Sequence, residues 1–128
     1  MKFRDLGAQY QALKPEIDAA ISDVIESTGF ILGKHVTELE NALAAYAGRK
    51  HCIAVGNGTD ALHLALDALG VGAGDAVFAP DFTYVASAVC ANLVGATPVM
   101  VDIDLDTFNM SPEALEKAIL KVKEEGKL

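Results

Sequence analysis

The sequence feature that most constrains the fold is the stretch HCIAVGNGTDALHLALDAL, residues 51–69. A short apolar run at 51–55 ends in the turn Gly56–Asp60, and a helical pattern follows at once. A strand that enters a helix through a glycine turn directs the first N–H groups, and the positive end of the helix, toward one point. The stretch therefore predicts a βα unit with an anion site, best suited to phosphate, where the Thr59 hydroxyl can add a donor.

The turn by itself leaves several ligands open. It lacks the Gly-Lys-Ser/Thr ending of a Walker loop. It matches the G-x-G-x-x-A pattern of dinucleotide-binding folds, with Ala61 in the last position and Asp81 available near the end of the next strand. It also fits an ordinary βα turn in which Asp60 or Thr59 caps the helix. On spacing alone, phosphate binding and a simple capped turn are equal alternatives.

Helix and strand patterns alternate through most of the chain. Helices are predicted at about 9–27, 35–47, 59–69, 83–94 and from Ser111 onward, and strands at 51–55, 76–80 and 98–103. Strands that alternate with helices of this length predict an α/β fold with a parallel sheet, whose ligands lie at the carboxyl ends of the strands. Residues 1–48 are expected to form two helices and a loop, and 49–128 three βα units. Such a thin sheet predicts an incomplete domain, because its last strand is a bare edge.

The other two predicted strand ends carry aromatic rings and carboxylates. Phe82 is expected to pack in the core. Tyr84 has a polar tip that suits a pocket edge, where its ring can stack on a flat heterocycle. Asp102, Asp104 and Asp106 can pair with a cationic ring nitrogen, bind a ribose or hold a metal, but alternating Asp residues more often form Asx turns at the surface.

Charge and hydropathy exclude other classes. The net charge of -8 opposes nucleic-acid binding, and 52% apolar residues indicate a folded aliphatic core. Residues 82–101 carry no charged side chain and are long enough to cross a bilayer. Asn92, Gly95 and Pro98 interrupt this segment, so a helix, a turn and a buried strand are predicted instead, with no membrane partner.

The cysteines and histidines do not form a metal pattern. Cys52 and Cys90 lack CxxC spacing and are expected to be reduced, buried thiols of a cytoplasmic protein. His35, His51 and His63 lack the spacing of metal ligands. No metal site is predicted.

The three strand ends, taken in order with their flanking stretches, resemble the DegT/DnrJ/EryC1/StrS family of sugar aminotransferases. These enzymes use pyridoxal phosphate (PLP) in the fold of aspartate aminotransferase. The resemblance runs from about Phe3 to the end of the chain through DLGAQYQALKPEIDAAI, GFILGKHVTELENALAAYAG, GNGTDALHLALDALGVGAGDAV, PDFTYVASA and GATPVMVDIDLDTFNMSPEALEKAI. It implies that residues 1–128 are the N-terminal portion of the large, PLP-binding domain of such an enzyme.

The resemblance assigns cofactor-binding residues position by position. The stretch GNGTDAL resembles the phosphate-binding turn of the family, so Gly58, Thr59 and Asp60 are implied backbone donors and Thr59 also a hydroxyl donor. Asn57 is a mild departure from the Ser-Gly-Thr form that family members often have. Tyr84 matches the aromatic residue that stacks on the PLP ring.

The resemblance places the Schiff-base lysine, and the carboxylate that pairs with the pyridine nitrogen, on later strands. None of the lysines here lies in a family-like lysine motif; they are Lys2, Lys14, Lys34, Lys50, Lys117, Lys121, Lys123 and Lys127. Amino transfer by PLP needs such a lysine to bind the cofactor covalently as a Schiff base. No catalytic residue is therefore assigned, and the 128 residues alone are expected to be inactive.

For the complete protein the resemblance implies a cytoplasmic homodimer that transfers an amino group, with glutamate as donor, to a nucleotide-linked keto sugar in polysaccharide or secondary-metabolite synthesis. The family's active site lies between two subunits, and the apolar loop 29–32 is the interface candidate. The alternatives are a sugar dehydratase of the same family, which has histidine in place of the lysine, and a regulatory, non-catalytic member. A dinucleotide binder is disfavoured because two helices precede the first strand.

Overall fold

A computed structural model describes residues 3–126, so Lys2 and Lys127 lie outside the described residues. The helices are α1 (Leu6–Ser27), α2 (Lys34–Tyr46), α3 (Gly58–Ala68), α4 (Ala86–Leu93) and α5 (Pro112–Glu125), and the strands are β1 (Ala76–Pro80) and β2 (Thr97–Val101). The chain divides into two compact units between Ala54 and Val55.

The first unit contains the two predicted helices, α1 and α2. The Asp5 side chain caps α1 by accepting a hydrogen bond from the Ala8 N–H at 3.0 Å. Pro15 lies inside α1 without ending it. Gly48, with φ of 62°, follows the end of α2 in the left-handed region, which is typical of a glycine that terminates a helix.

An ionic cluster joins the end of α1 to the start of α2. The Asp23 carboxylate accepts a hydrogen bond from Lys34 Nζ at 2.8 Å and contacts His35 Nε2 at 2.7 Å. The hydrogen bond from Lys34, followed by that from His35, lowers the pKa of Asp23. The intervening loop 28–33 carries the apolar side chains of residues 30–32, whose exposed fractions are 67%, 88% and 80%.

The second unit contains the parallel sheet that the α/β prediction requires. Strands β1 and β2 pair in parallel, with Ala76 opposite Thr97 and Pro80 opposite Val101. Helix α4 connects them and contacts both strands. The buried side chains are small, because α4 packs closely on the sheet; they are Ala79, Ala86, Cys90, Ala91, Ala96 and Val101. The fold class is therefore confirmed.

The strand predicted at 51–55 does not form. Ile53 is 79% exposed and Cys52 is only partly buried, whereas both were expected inside the sheet. The Ala54 N–H donates to the Glu40 carboxylate at 2.8 Å rather than to a neighbouring strand. A strand needs a hydrogen-bonded neighbour, and no described segment pairs with this one. An apolar run can predict β propensity but cannot supply that partner.

The element after β1 also differs from its prediction. Helix α4 begins at Ala86 rather than at residue 83, since residues 81–84 form a turn. Phe82 lies in this turn at 67% exposure and contacts the Phe108 ring, with 5.7 Å between ring centroids. Its expected place in the core is wrong, because the chain has left β1 before reaching it.

Strand β2 ends at Val101 rather than at the predicted residue 103, and Ile103 forms only an isolated bridge with Met110. The start of α5 and the course of the uncharged segment agree with their predictions. Helix α5 begins as predicted, with Ser111 Oγ accepting a hydrogen bond from the Ala114 N–H at 3.2 Å and Pro112 in the first turn. The uncharged segment 82–101 forms an irregular loop that leads into α4, a turn at Gly95 and β2. Within residues 3–126, no helix combines the length and the apolar character that a membrane crossing requires.

Candidate functional site

Asn57 caps α3 and organises the turn before it. Its Oδ1 accepts a hydrogen bond from the Asp60 N–H at 3.0 Å, and its Nδ2 donates to Asp60 Oδ2 at 2.9 Å. The cap is therefore Asn57, and not Asp60 or Thr59 as the simple-turn interpretation expected. The Asp60 N–H is occupied by this cap.

Two backbone donors of the turn have no acceptor among residues 3–126. They are the N–H groups of Gly58 and Thr59, which begin α3 and therefore have no carbonyl one turn earlier in the helix. The Thr59 hydroxyl likewise has no hydrogen bond in this part of the chain. These donors lie at the positive end of α3, where the partial charge of the helix favours an anion.

The two glycines of the turn meet different surroundings. A Cβ added to Gly56 would lie 2.7 Å from Asp60 Oδ2, so a side chain there would displace the carboxylate that Asn57 holds. A Cβ added to Gly58 would have no heavy atom of another described residue within 4 Å, apart from its chain neighbours and the backbone of its own helix. Gly56 therefore makes room for the cap, whereas Gly58 borders open space through which a ligand can approach.

The turn shares a cavity of about 450 Å³ with the start of α4. The cavity is lined by Asn57, Gly58, Thr59, Leu62, Tyr84, Ala86 and Ser87. Its size lies in the range of roughly 300–1,000 Å³ that is typical of small-molecule sites. Four of the five residues predicted to bind the cofactor line it, and Asp60 is the exception.

Tyr84 lines this cavity from the loop after β1. Its side chain is 77% exposed, while its carbonyl accepts a hydrogen bond from the Ser87 N–H at 3.0 Å. The backbone is thus held at the start of α4 and the ring face remains accessible. An accessible tyrosine ring at a pocket is suited to stacking on a flat heterocycle.

Ser87 is a lining residue that the sequence reasoning missed. Its Oγ lies 3.3 Å from Thr83 Oγ1, so the two hydroxyls form a hydrogen-bonded pair. The only signal in the sequence was a hydroxyl three residues after Tyr84, at the start of a predicted helix.

The acidic residues after β2 form a turn of their own. Asp104 Oδ1 accepts hydrogen bonds from the Thr107 N–H at 2.9 Å and the Asp106 N–H at 3.0 Å. These bonds, first that from Thr107, lower the pKa of the Asp104 carboxyl. Asp102 accepts from the Ile103 N–H at 2.8 Å. The predicted Asx turn is confirmed, and none of these carboxylates lines the cavity.

The cavity has a neutral lining. None of the lysines within residues 3–126 is among its lining residues. Over the same range, no group of three His, Cys, Asp or Glu side chains is placed to hold a metal ion. The groups that residues 3–126 offer to an anion here are therefore N–H and O–H donors, and not a cationic side chain.

An open cavity at the carboxyl end of a parallel strand, with unbonded helix N–H groups and an accessible aromatic ring, is typical of α/β proteins that bind a phosphorylated small molecule. Residues 11–124 match the model of the DegT/DnrJ/EryC1/StrS aminotransferase family. The chain belongs to this family, which removes the dinucleotide-binding alternative.

Individual relatives agree with this assignment. A UDP-2-acetamido-2-deoxy-3-oxo-D-glucuronate aminotransferase of Pseudomonas aeruginosa is 51% identical over 93% of this chain and 33% of its own length. A pleiotropic regulatory protein of Geobacillus stearothermophilus is 50% identical over 90% of this chain and 31% of its own length. The chain thus spans about a third of the length of these relatives.

Solved structures share the fold. The crystal structure of a DegT/DnrJ/EryC1/StrS aminotransferase from Brucella abortus matches with a TM-score of 0.94 and 48% identity, over all of this chain and 34% of that one. A protein from Streptococcus pneumoniae, described as a sugar aminotransferase and solved in its PLP form, matches with a TM-score of 0.73 and 42% identity over 77% of this chain and 25% of its own.

Proposed function

We propose that the complete protein is a PLP-dependent aminotransferase and that this chain supplies the part of the active site that holds the cofactor phosphate and one face of its ring. The observation that carries the proposal is the shared cavity: the turn at residues 57–59 and the ring of Tyr84 line the same space in a member of this family. The PLP form of the Streptococcus pneumoniae neighbour supports the choice of cofactor.

The turn fits a phosphate group. The N–H groups of Gly58 and Thr59 would donate to phosphate oxygens, and the Thr59 hydroxyl would add a third donor, because all three lack acceptors among the described residues. Asn57 holds the turn in this conformation through its cap, and Asp60 locks the Asn57 amide. Asp60 thus contributes by positioning Asn57, since its own N–H is already bonded.

Tyr84 fits the ring of the cofactor. Its exposed side chain borders the cavity, and its carbonyl is fixed by the Ser87 N–H. An aromatic pair of this kind contributes roughly 0.5–1.5 kcal/mol beyond the area that it buries. We propose that Tyr84 orients the ring and excludes water from one face.

When bound, PLP supplies the carbonyl group and the electron-withdrawing ring on which amino transfer depends. The residues of this chain bind and orient it, and none of the lysines in 3–126 lines the cavity. We propose that the reactive lysine belongs to another part of the complete protein, and that these 128 residues alone do not transfer an amino group.

The substrate proposal rests on the relatives. The Pseudomonas aeruginosa relative is named for a UDP-linked oxo sugar acid. We propose that the complete protein aminates a nucleotide-linked keto sugar in the cytoplasm, with glutamate as donor, for polysaccharide or secondary-metabolite synthesis. We further propose a homodimer in which loop 29–32 lies in the interface, since its apolar side chains at 30–32 are 67–88% exposed.

A regulatory function is the second candidate, because the Geobacillus stearothermophilus relative carries a regulatory name. The two are separated by incubating the complete gene product with PLP, glutamate and a UDP-linked 3-keto sugar. Formation of 2-oxoglutarate and an amino sugar supports the enzyme. Cofactor binding without either product would support the regulatory candidate and contradict amino transfer.

The phosphate site is tested by Thr59→Ala in the complete gene product. Loss of a hydrogen bond to a charged group should raise the dissociation constant of PLP by about tenfold to a hundredfold. The constant is measured by equilibrium dialysis, and Thr59→Ser should restore most of the affinity. Thr37→Ala, which removes an exposed helical threonine from α2, serves as the matched control. An unchanged constant in Thr59→Ala would remove Thr59 from the site.

A further inference from the structure

Ser87 occupies a place in the cavity that the family assignment does not explain. It lies in the first turn of α4, is partly buried, and lines the same cavity as Gly58, Thr59 and Tyr84. The known features of the turn account for donors from α3 only. Ser87 adds a second helix to the lining of this space, and it also lines a neighbouring cavity together with Leu62 and Cys90.

The hydrogen bonds of Ser87 leave one donor for the cavity. Its N–H donates to the Tyr84 carbonyl, and its own carbonyl accepts from Cys90 Sγ at 3.4 Å. Its hydroxyl contacts only Thr83 Oγ1 among residues 3–126, at 3.3 Å. A hydroxyl has one donor and two acceptor positions, so when Thr83 donates to Ser87, the Ser87 proton is available for another acceptor.

The neutral lining of the cavity makes such a donor important. Among residues 3–126 no charged side chain lines the cavity, so this part of the chain offers a phosphate there only N–H and O–H donors. Helix α4 begins without a side-chain cap, but the N–H groups of residues 87–89 donate to the carbonyls of Tyr84 and Val85. The helix end that favours negative charge in the shared space is therefore that of α3, and Ser87 can add a hydroxyl to it.

We propose that Ser87 is a second hydroxyl donor to the cofactor phosphate and that Thr83 orients its proton. A bound phosphate selects the arrangement in which Thr83 donates to Ser87 and Ser87 donates to the phosphate. Ser87 is then a binding residue and Thr83 a positioning residue that acts through it. The inference rests on the proposed PLP site.

The test measures dissociation constants of PLP and of pyridoxal, which lacks the phosphate, on the complete gene product and its variants. Ser87→Ala should raise the constant for PLP about tenfold, because it removes a hydrogen bond to a charged group. The constant for pyridoxal should stay unchanged. Ser87→Thr keeps the hydroxyl and should keep most of the affinity. Circular dichroism of each variant checks its fold, and Ser87→Cys, close in size and a weak donor, replaces Ser87→Ala if the latter unfolds.

A double-mutant cycle tests the role of Thr83. Thr83→Val preserves the shape of the side chain and removes its donor, so it should weaken PLP binding by roughly threefold in the unmodified protein. In the Ser87→Ala background it should have no further effect. Equal effects in both backgrounds would overturn the orienting role.

The outcomes separate this inference from the proposed function. If Thr59→Ala weakens PLP binding and Ser87→Ala does not, the inference about Ser87 is wrong and the PLP site stands. If neither variant changes the constant, the PLP site itself is wrong and the inference falls with it. If Ser87→Ala weakens pyridoxal as much as PLP, the hydroxyl does not contact the phosphate, and the inference is again overturned.

Discussion

The turn before α3 and the turn after β2 are built from similar residues but differ in what they can bind. In the first, neutral Asn57 accepts one backbone N–H, that of Asp60, and leaves those of Gly58 and Thr59 without acceptors in the described chain. In the second, Asp104 accepts two, from Asp106 and Thr107. The first turn keeps donors for a ligand, and its cap residue is neutral, although the Asp60 carboxylate is hydrogen-bonded to the Asn57 amide. In the second turn, the N–H groups of Asp106 and Thr107 are already bonded to the Asp104 carboxylate, which carries the negative charge.

This difference shows why a polar turn at a strand end is not by itself a binding site. A carboxylate at the position of the cap satisfies the turn internally and repels an anion. An amide at the cap holds the same kind of turn while the helix end remains attractive to phosphate. Substitutions that exchange the neutral amide and the carboxylate between the two turns test whether the neutral cap is what permits phosphate binding.

The largest effect is expected from Asn57→Asp, which makes the first turn resemble the second. The carboxylate retains the cap to the Asp60 N–H but places a negative charge beside the cavity and beside the Asp60 carboxylate. Repulsion of several kcal/mol at short range predicts a dissociation constant for PLP raised by about a hundredfold or more. Isothermal titration of the complete gene product measures it, preferably at low salt.

Asp104→Asn is the matched control for that substitution, because it changes the charge of the other turn. It should leave the PLP dissociation constant unchanged. If Asn57→Asp binds PLP normally, the neutral cap does not matter and the distinction between the two turns fails.

A smaller effect is expected from Gly58→Ala. No described atom lies within 4 Å of the added Cβ, and Gly58 is helical, so the fold should be retained or slightly stabilised, by up to about 1 kcal/mol. The added methyl group borders the cavity and would keep the phosphate from approaching the N–H groups closely. We expect the dissociation constant of PLP to rise by roughly tenfold, which corresponds to a loss of about 1.4 kcal/mol of binding free energy. Dialysis gives the binding constant and thermal melting gives the stability.

Gly56→Ala provides the contrast, because its Cβ would lie 2.7 Å from Asp60 Oδ2 and disturb the cap. It should lower the melting temperature, whereas Gly58→Ala should not. Equal melting temperatures for the two variants would contradict the separate roles of these glycines.

The smallest effect is expected from Asp104→Ala, and it should depend on pH. Because hydrogen bonds from Thr107 and Asp106 lower the pKa of this carboxyl, the folded state is stabilised when Asp104 is ionised. The stabilisation is present above the ordinary pKa of 3.8 and is lost as the pH falls through the lowered value in the folded protein. The variant should melt below the unmodified protein at pH 7, and the gap should narrow below pH 3.8. A difference in melting temperature that does not change with pH would show that the ionised carboxylate does not stabilise the turn. The dissociation constant of PLP should be the same in the variant and in the unmodified protein.

Local rules explain which elements could be predicted. Strand β1 has the predicted bounds, and α5 begins at its predicted cap, Ser111, because capping residues and short apolar runs act through neighbours in the sequence. The predicted strand at 51–55 failed because a strand needs a partner in space. Phe82 was misplaced for a related reason: its exposure depends on where the chain leaves β1.

The residues of the candidate site also fall into those that the sequence identified and one that it did not. Asn57, Gly58, Thr59 and Tyr84 were found from the sequence, as a glycine turn before a helix and an aromatic residue in a stretch that resembles the family. Ser87 was missed because no spacing rule connects residue 87 to residue 59. The two lie in one cavity only because α3 and α4 pack against each other.

The sequence by itself determined the α/β alternation, the start of α5 and the glycine turn before α3, because each depends on residue types at short separation, and several long stretches identified the family. The cap by Asn57 is also a local contact, over three residues, and the structure decided only which of the candidate caps is used. The tertiary structure alone decided that Tyr84 and Ser87 share a cavity with this turn. That cavity depends on the packing of α4 against α3, two helices separated in the sequence, which no local pattern contains.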